Sequence, residues 1–290
     1  MSDLHIVGVH GIWQGDTDTT RLTADWRAAL TRGLTRHLGP HTTIPPMTVP
    51  HYSPAFTAPR RRLGAAKPTD HEPIGPNEEA FILETLAHYA PDAPVRAAAD
   101  APSTLGLGLP YLPRPVAAAI AGIDRESGRG TGALLVGAIR QVHKYLHHPD
   151  RAEQIRATVL DAFTTPGTRL AIAHSLGSVV VLDMILRGQI PPADGHGQGL
   201  ATLVTCGSPL AWPTVRRGIG QEGRSLRLPD GIAWINLHAR GDAIAQARGL
   251  ASVAPDVHDV EVSNGLGEPH AATRYLDKEP IARTIAADGQ

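Results

Sequence analysis

One serine in the sequence has the surroundings of a catalytic nucleophile. Ser175 follows the short apolar run 170–173 and precedes a second apolar segment whose spacing suits a helix packed on a sheet. Small residues lie two positions away on either side, at Ala173 and Gly177. A tight turn from strand to helix strains the backbone of its central serine, and bulky side chains at these positions would clash. The pattern predicts a hydroxyl held over the sheet, where the backbone N–H of Leu176 can face a developing oxyanion.

The pentapeptide 173–177, Ala-His-Ser-Leu-Gly, resembles the nucleophile elbow of the α/β-hydrolase fold. Its His174-Ser-Leu-Gly part is typical of the lipases and esterases of that fold, the group that includes GPI inositol-deacylase-like proteins. The family pattern begins with glycine, whereas this chain has Ala173. The resemblance implies an α/β-hydrolase fold: a mostly parallel central sheet flanked by helices, with an inserted helical cap or lid. The alternative is a serine in an ordinary turn between a strand and a helix.

The resemblance also assigns a role to the beginning of the chain. Segment 4–9 predicts a buried strand, and His10, Gly11 and Ile12 follow it. In the family, the loop after a strand that ends in His-Gly supplies the second oxyanion donor, which here is the backbone N–H of Ile12. Gly11 would let the backbone approach the substrate closely, and His10 would shape the loop. The alternative role for His10 is that of a catalytic base.

The catalytic acid of the family lies on the loop after a later strand. Segment 232–238 predicts that strand, and Asp242 lies four residues beyond it. By the resemblance, Asp242 holds the catalytic histidine in the correct tautomer and stabilises the imidazolium. Its alternative role is to cap the N-terminus of a helix. His238, near the end of the strand, is a second candidate for a residue of the pocket.

The catalytic base of the family comes from the loop between the last strand and the last helix. Segment 256–262 predicts the strand, and His270 immediately precedes the segment 271–286, which predicts the helix. His258 is the rival, but it lies at the start of the strand, far from the expected site. The order serine, aspartate, histidine is that of the α/β-hydrolases. All three candidates follow predicted strands, at the edge of an open parallel sheet where ligands bind.

Another serine follows a further predicted strand. Segment 200–206 leads into Gly207, Ser208 and Pro209. This tripeptide also resembles the lipase and esterase group, where it lines the floor behind the nucleophile. Ser208 is a formal rival to Ser175, but it lacks the flanking pattern of the elbow.

The middle of the chain exceeds what the predicted sheet needs. By the resemblance, the hydrolase core needs only one crossover helix between the early strands and the elbow, and we place it at 150–163. We therefore interpret 53–149 as a cap or lid inserted within a single domain that spans 1–290, with apolar walls for a substrate pocket. The alternative is a peripheral helical decoration or a dimer surface. A further helix is expected to begin at a cap formed by Asp18 or Thr19 and to run through Trp26 to His37. Other helices are expected near 78–89, 116–123 and 132–147, and a short strand at 48–52.

The composition excludes several classes of partner. The chain has 290 residues with a formal net charge of −1, so it offers no basic field to nucleic acid. It lacks the roughly 20 consecutive apolar residues of a membrane span, and its start lacks the pattern of a signal peptide, so we expect no stable membrane insertion and a cytoplasmic location. No acidic or cysteine residue completes a set of metal ligands with His143, His147 and His148, so neither a metal nor another cofactor is predicted.

The resemblance thus implies a serine hydrolase that cleaves carboxylic esters or acyl lipids through an acyl-enzyme. The expected partner is a small-molecule or lipid-like ester. A thioesterase, an acyltransferase or a serine peptidase could use the same residues, and a catalytically silent binding module could retain the fold. The sequence does not determine the oligomeric state.

Overall fold

A parallel sheet of six strands organises the part of the chain that the structure describes. The computed structural model describes residues 4–11, 17–56, 73–89, 112–194, 198–245, 249–265 and 267–289. All neighbouring strands are parallel, and their order is β2-β1-β3-β4-β5-β6. The strands are β1 (His5–Val9), β2 (Met47–Thr48), β3 (Thr168–His174), β4 (Thr202–Cys206), β5 (Ala233–Ala239) and β6 (His258–Val262).

Helices cover both faces of this sheet. Alternate residues of β3 point to opposite faces: Leu170 and Ile172 pack with the first and last helices, whereas Ala171 and Ala173 pack with the central ones. This double coverage is expected of a parallel sheet and defines an α/β architecture. The helices among the described residues are α1 (Thr19–Leu38), α2 (Pro76–Tyr89), α3 (Arg114–Ser127), α4 (Thr131–His147), α5 (Pro149–Phe163), α6 (Leu176–Leu186), α7 (Pro213–Gly218), α8 (Ala272–Leu276) and α9 (Glu279–Asp288).

The strand order places a switch point beside β1. From β1 the chain continues to β2 on one side, and the later strands extend from β3 on the other. In open α/β sheets, ligands bind at the carboxyl ends of the strands where the order reverses. Gly11 follows β1 and Ser175 follows β3, so both lie at this point.

Most of the predicted elements are confirmed. Asp18 caps α1, because its carboxylate accepts a hydrogen bond from the backbone N–H of Arg21 at 2.8 Å. Helices α2, α3 and α4 lie within the predicted insert, although 57–72 and 90–111 are outside the described residues. None of the described helices combines the length and the apolar character needed to cross a bilayer.

Two predicted boundaries are wrong, and proline explains both. The expected helix 271–286 is two helices, since α8 ends at Leu276 and α9 begins at Glu279. Pro280 cannot donate a backbone hydrogen bond, and its ring would clash with the carbonyl of Leu276 in a continuous helix. The expected strand 48–52 is only Met47–Thr48, because Pro50 cannot donate a hydrogen bond to a neighbouring strand.

A buried carboxylate joins three helices behind the sheet. Asp183 of α6 accepts hydrogen bonds from Tyr145 of α4 at 2.7 Å and from Arg187 at 2.8 Å, and Arg156 of α5 lies at 3.4 Å. The side chain of Asp183 is 6% exposed. Paired in this way, the carboxylate ties α4 and α5 to the helix that follows Ser175.

We predict that Asp183→Ala destabilises the protein by about 3 kcal/mol, because it leaves the buried Tyr145 hydroxyl and the Arg156 guanidinium without their acceptor. The free energy of unfolding in urea measures the loss. Asp161→Ala, on the exposed side of α5, is the control and should change it by no more than about 0.5 kcal/mol. Equal effects of the two variants would contradict the role of Asp183.

Candidate active site

The turn that carries Ser175 is held in a strained conformation. Ser175 has φ 54° and ψ −124°, and only one other non-glycine residue among those described, Glu268, has a positive φ. Such a conformation costs about 1–3 kcal/mol and persists only where the surroundings impose it. The N–H of Ser175 donates to the carbonyl of Cys206 at 2.9 Å. Its own carbonyl accepts hydrogen bonds from the N–H of Ser178 at 3.0 Å and from the Ser178 hydroxyl at 2.6 Å.

Two glycines allow the backbone to come close to this turn. A Cβ at Gly177 would overlap the carbonyl of Val9 and lie 2.6 Å from that of His10. A Cβ at Gly11 would lie 2.6 Å from the Cβ of Ser175. The first turn of α6 and the loop after β1 can therefore approach each other only because these positions carry no side chain.

Three side chains from three loops form a continuous line of hydrogen bonds. The Nε2 of His270 lies 2.9 Å from the Oγ of Ser175, and its Nδ1 lies 2.9 Å from both carboxylate oxygens of Asp242. Ser175 is 1% exposed, the Asp242 side chain is fully buried, and the His270 side chain is 10% exposed. Because a carboxylate only accepts, the Nδ1 of His270 carries a proton, and its Nε2 is free to accept one from the serine.

The carboxylate of Asp242 is held as an anion. Burial raises its pKa, but the charge of His270 and the hydrogen bonds from His270, Tyr275 and Ile244 together bring the pKa below its usual value. The Tyr275 hydroxyl donates to Oδ2 at 2.6 Å, and the N–H of Ile244 donates to Oδ1 at 2.9 Å. Asp242 can therefore stabilise a positive charge that forms on His270.

Two further histidines support the backbone of the site. The Nε2–H of His174 donates to the carbonyl of His270 at 2.7 Å, and burial, then the charge of His270, lowers the pKa of His174 to about 3. His10 accepts a hydrogen bond from the N–H of Tyr52 at 3.3 Å, and its Nδ1–H donates to the carbonyl of Gly11 at 2.7 Å. Burial lowers the pKa of His10 to about 4, so both rings are neutral at pH 7.

A cleft of about 630 Å³ opens beside the line of hydrogen bonds. Gly11, His174 and His270 are among the residues that line it. Trp26 of α1 and Leu134 of α4 contribute apolar surface. The cleft therefore lies beside His270, between α1 and the beginning of α4, which belongs to the predicted insert.

The other sequence candidates have different surroundings. The Oγ of Ser208 lies 2.7 Å from that of Ser178 and accepts the N–H of Leu210 at 3.2 Å, so it belongs to the support of the elbow. His258 begins β6, at the opposite end of the sheet. His238 is buried at the end of β5, and its Nδ1 has no hydrogen-bond partner among the described residues. Ile12, the expected second oxyanion donor, lies outside the described residues.

The three histidines at the end of α4 form a cluster away from this site. The rings of His143 and His147 are stacked with centroids 4.6 Å apart, and His148 lies 6.1 Å from His143. Burial and then the charges of His147 and His148 lower the pKa of His143 to about 4. Within the described ranges, no group of three histidine, cysteine or acidic side chains is arranged to hold a metal ion.

Sequence reasoning missed two residues that contact the acid. In the sequence, Tyr275 is simply one residue of the helix predicted at 271–286, and the resemblance places Gly207 only at the floor behind the nucleophile. In the structure, Gly207 has φ +56°, and a Cβ there would lie 2.8 Å from the Oδ2 of Asp242. The available signal was the tyrosine itself, since a buried hydroxyl on an apolar helix face needs a hydrogen-bond partner.

Comparisons with models of protein families, with curated proteins and with solved structures gave no significant match to this chain.

We predict that Gly207→Ala destabilises the protein more than Gly223→Ala does. Both positions have positive φ, at +56° and +67°, but the position of a Cβ at Gly223 has no atom within 4 Å. Gly223→Ala should cost about 1 kcal/mol for backbone strain, and Gly207→Ala a further 1–3 kcal/mol or so for the collision with Asp242. Urea unfolding measures both, and equal losses would contradict the close packing.

We also predict that buried His10 makes the protein sensitive to acid. Its folded pKa of about 4 lies below the usual 6.5, so the unfolded state binds more protons between these values. Stability is therefore present above about pH 6.5 and is lost as the pH falls towards 4. Between pH 7 and 5, His10 alone should account for a loss of about 2 kcal/mol.

The test is urea unfolding of wild type and His10→Gln at pH 7 and 5. The decrease in the free energy of unfolding from pH 7 to pH 5 should be smaller in His10→Gln than in the wild type by about 2 kcal/mol. His41→Gln, at an exposed position, controls for the substitution itself. An unchanged loss in His10→Gln would show that His10 does not titrate as inferred.

Proposed function

We propose that this protein is a serine hydrolase of the α/β-hydrolase type that cleaves carboxylic esters through an acyl-enzyme. The observation that carries the proposal is the unbroken hydrogen-bond line from Asp242 through His270 to the strained Ser175. The elbow motif, its place at the switch point of the sheet and the adjacent cleft support the same conclusion. Each partner in this line is oriented by another, as nucleophilic catalysis by serine requires.

In the first half of the reaction, the Oγ of Ser175 attacks the carbonyl carbon of the ester while the Nε2 of His270 takes its proton. The resulting oxyanion accepts a hydrogen bond from the N–H of Leu176, the first residue of α6, where helix N–H groups lack partners within the helix. The resemblance assigns the second donor to Ile12. His270 then protonates the leaving alkoxide, and the acyl group stays on Ser175.

In the second half, water replaces the alcohol. The Nε2 of His270 takes a proton from the water as its oxygen attacks the acyl carbon. Collapse of the second tetrahedral intermediate returns that proton to Ser175 and releases the acid. Throughout, the carboxylate of Asp242 remains ionised and stabilises the imidazolium of His270. This cycle uses only side chains, backbone N–H groups and water.

The cleft favours an ester with an apolar acyl or alkyl part. Trp26 and Leu134 supply apolar walls, and its volume of about 630 Å³ falls within the range of small-molecule sites. Since Leu134 comes from the insert 53–149, we propose that this insert serves as the cap of the site. A lipid-like ester is the substrate class that these walls fit.

Thioester hydrolysis, acyl transfer and peptide hydrolysis would use the same acylation step. They differ in the leaving group and in the acceptor of the acyl group. A silent binding module would not need an activated serine, so the reactivity of Ser175 decides between these enzymes and a module of that kind.

We predict that a fluorophosphonate probe labels Ser175. The Oγ displaces fluoride from phosphorus as His270 takes the hydroxyl proton, so only an activated serine reacts readily. Ser175→Ala should abolish labelling and lower ester hydrolysis on the order of 10⁴-fold or more. Mass spectrometry of the labelled peptide identifies the site.

Ser208→Ala is the matched control, because Ser208 is equally buried but bonds to Ser178. This variant should still be labelled at Ser175. Labelling that disappears in Ser208→Ala and persists in Ser175→Ala would reverse the assignment. A folded wild type that stays unlabelled, with detergent present to admit the probe, would refute the hydrolase proposal.

A further inference from the structure

The segment that carries the catalytic base also carries a hydrogen-bond donor to the acid. Tyr275 lies on α8, five residues after His270, and is fully buried. Its hydroxyl donates to the Oδ2 of Asp242 at 2.6 Å. Asp242 comes from the loop after β5, so this bond joins a helix and a loop that meet only in the folded protein.

The carboxylate is held by donors on both of its oxygens. Oδ1 accepts hydrogen bonds from the N–H of Ile244 at 2.9 Å and from His270. Oδ2 accepts hydrogen bonds from Tyr275 and from His270. Gly207 lies against Oδ2 and leaves no room there for a side chain. Tyr275 is therefore the one side chain besides His270 that is observed, among the described residues, to donate to this carboxylate.

We propose that Tyr275 is a positioning residue that fixes the orientation of the Asp242 carboxylate toward His270, an inference that rests on the proposed function. Without its hydroxyl, Oδ2 would be a buried charged atom with one partner fewer. The carboxylate would then rotate to improve its remaining bonds. The hydrogen bond to the Nδ1 of His270, and with it the alignment of Nε2 on Ser175, would lose its fixed geometry.

The surroundings keep Tyr275 in the donating form. Burial and then the charge of Asp242 raise its pKa far above the usual value. The ring of His174 lies 6.0 Å from that of Tyr275, and the Cys206 thiol is the other titratable group close to both Tyr275 and Asp242. Burial lowers the pKa of His174 and raises that of Cys206, so neither carries charge near pH 7. The hydroxyl of Tyr275 thus stays protonated at pH values near 7.

Tyr275→Phe removes this hydroxyl and nothing else. The chain offers a close control in Tyr145→Phe, since Tyr145 is also buried and donates to a buried carboxylate, Asp183, at 2.7 Å. Both variants should lose similar stability. With p-nitrophenyl acetate as substrate, Tyr275→Phe should lower kcat about tenfold with KM nearly unchanged, because the hydrogen bond acts on the reacting groups and not on the substrate. Tyr145→Phe should keep the wild-type kcat.

A second readout does not depend on catalysis. The Nδ1 proton of His270, bonded to a carboxylate, should give a far-downfield proton NMR signal. Tyr275→Phe should shift or broaden this signal, and Tyr145→Phe should leave it unchanged. If the wild type neither hydrolyses esters nor reacts with a fluorophosphonate, the proposed function fails, but the NMR comparison still decides the role of Tyr275. An unchanged signal in Tyr275→Phe would overturn that role, as would equal kinetic effects of the two variants.

A third comparison covers the case in which Tyr275→Phe is too unstable to purify. In Asp242→Ala there is no carboxylate to position, so adding Tyr275→Phe leaves no buried charge without a partner. If Tyr275 acts through Asp242, the rates of fluorophosphonate labelling of Asp242→Ala and of the double variant should agree within about twofold. If labelling is undetectable in both, the ring C–H proton NMR signals of His270, which do not require a carboxylate at Nδ1, should likewise be the same in the two variants. A further tenfold loss in the double variant, or a further change in its signal, would overturn the proposal.

Discussion

The strained turn at Ser175 is the constraint on which the rest of the site depends. A positive φ at this residue turns the chain from β3 directly into α6 and presents the hydroxyl at the head of the helix. The conformation is stable because the carbonyl of Cys206 and the side chain of Ser178 hold the backbone of the turn. Gly177 is needed as well, since only a residue without Cβ lets α6 begin so close to the end of β1.

The second requirement is a buried anion with enough partners. Asp242 lies beneath the histidine with no exposure to solvent, where an unpaired carboxylate would be strongly unfavourable. Hydrogen bonds from backbone and side chains on both oxygens compensate for the lost hydration. The stability of the fold and the orientation of His270 are therefore linked, because the same bonds serve both. The break before α9 contributes to this arrangement too. It leaves α8 as a separate short helix, on which Tyr275 lies within hydrogen-bond distance of Asp242.

The neutral histidines have a related role. His10 and His174 are buried and donate to the carbonyls of Gly11 and His270, respectively. Each ring thus orients a backbone segment of the site by one hydrogen bond. Since protonation would place a charge in an apolar environment, these rings favour the folded state only while they are neutral. The geometry of the site and the sensitivity of the fold to acid follow from the same burial.

Much of this arrangement can be predicted from the sequence, because it depends on residues that lie close together in the chain. Apolar runs mark the strands, small residues mark the turn at Ser175, and the chain order of Ser175, Asp242 and His270 places each candidate after a strand. Pro280 is also a local signal, because a proline there ends a helix after Leu276, but the helix predicted at 271–286 passes through it.

Only the tertiary structure decided which side chains meet across the loops. The hydrogen bond between Tyr275 and Asp242 joins residues 33 positions apart. The spacing of apolar residues along the chain does not predict a contact between residues so far apart. The need for glycine at 207 likewise arises from a carboxylate that another strand brings within 2.8 Å of its missing Cβ. Local propensity determines where strands and turns begin, whereas contacts between distant segments depend on how the helices pack on the sheet.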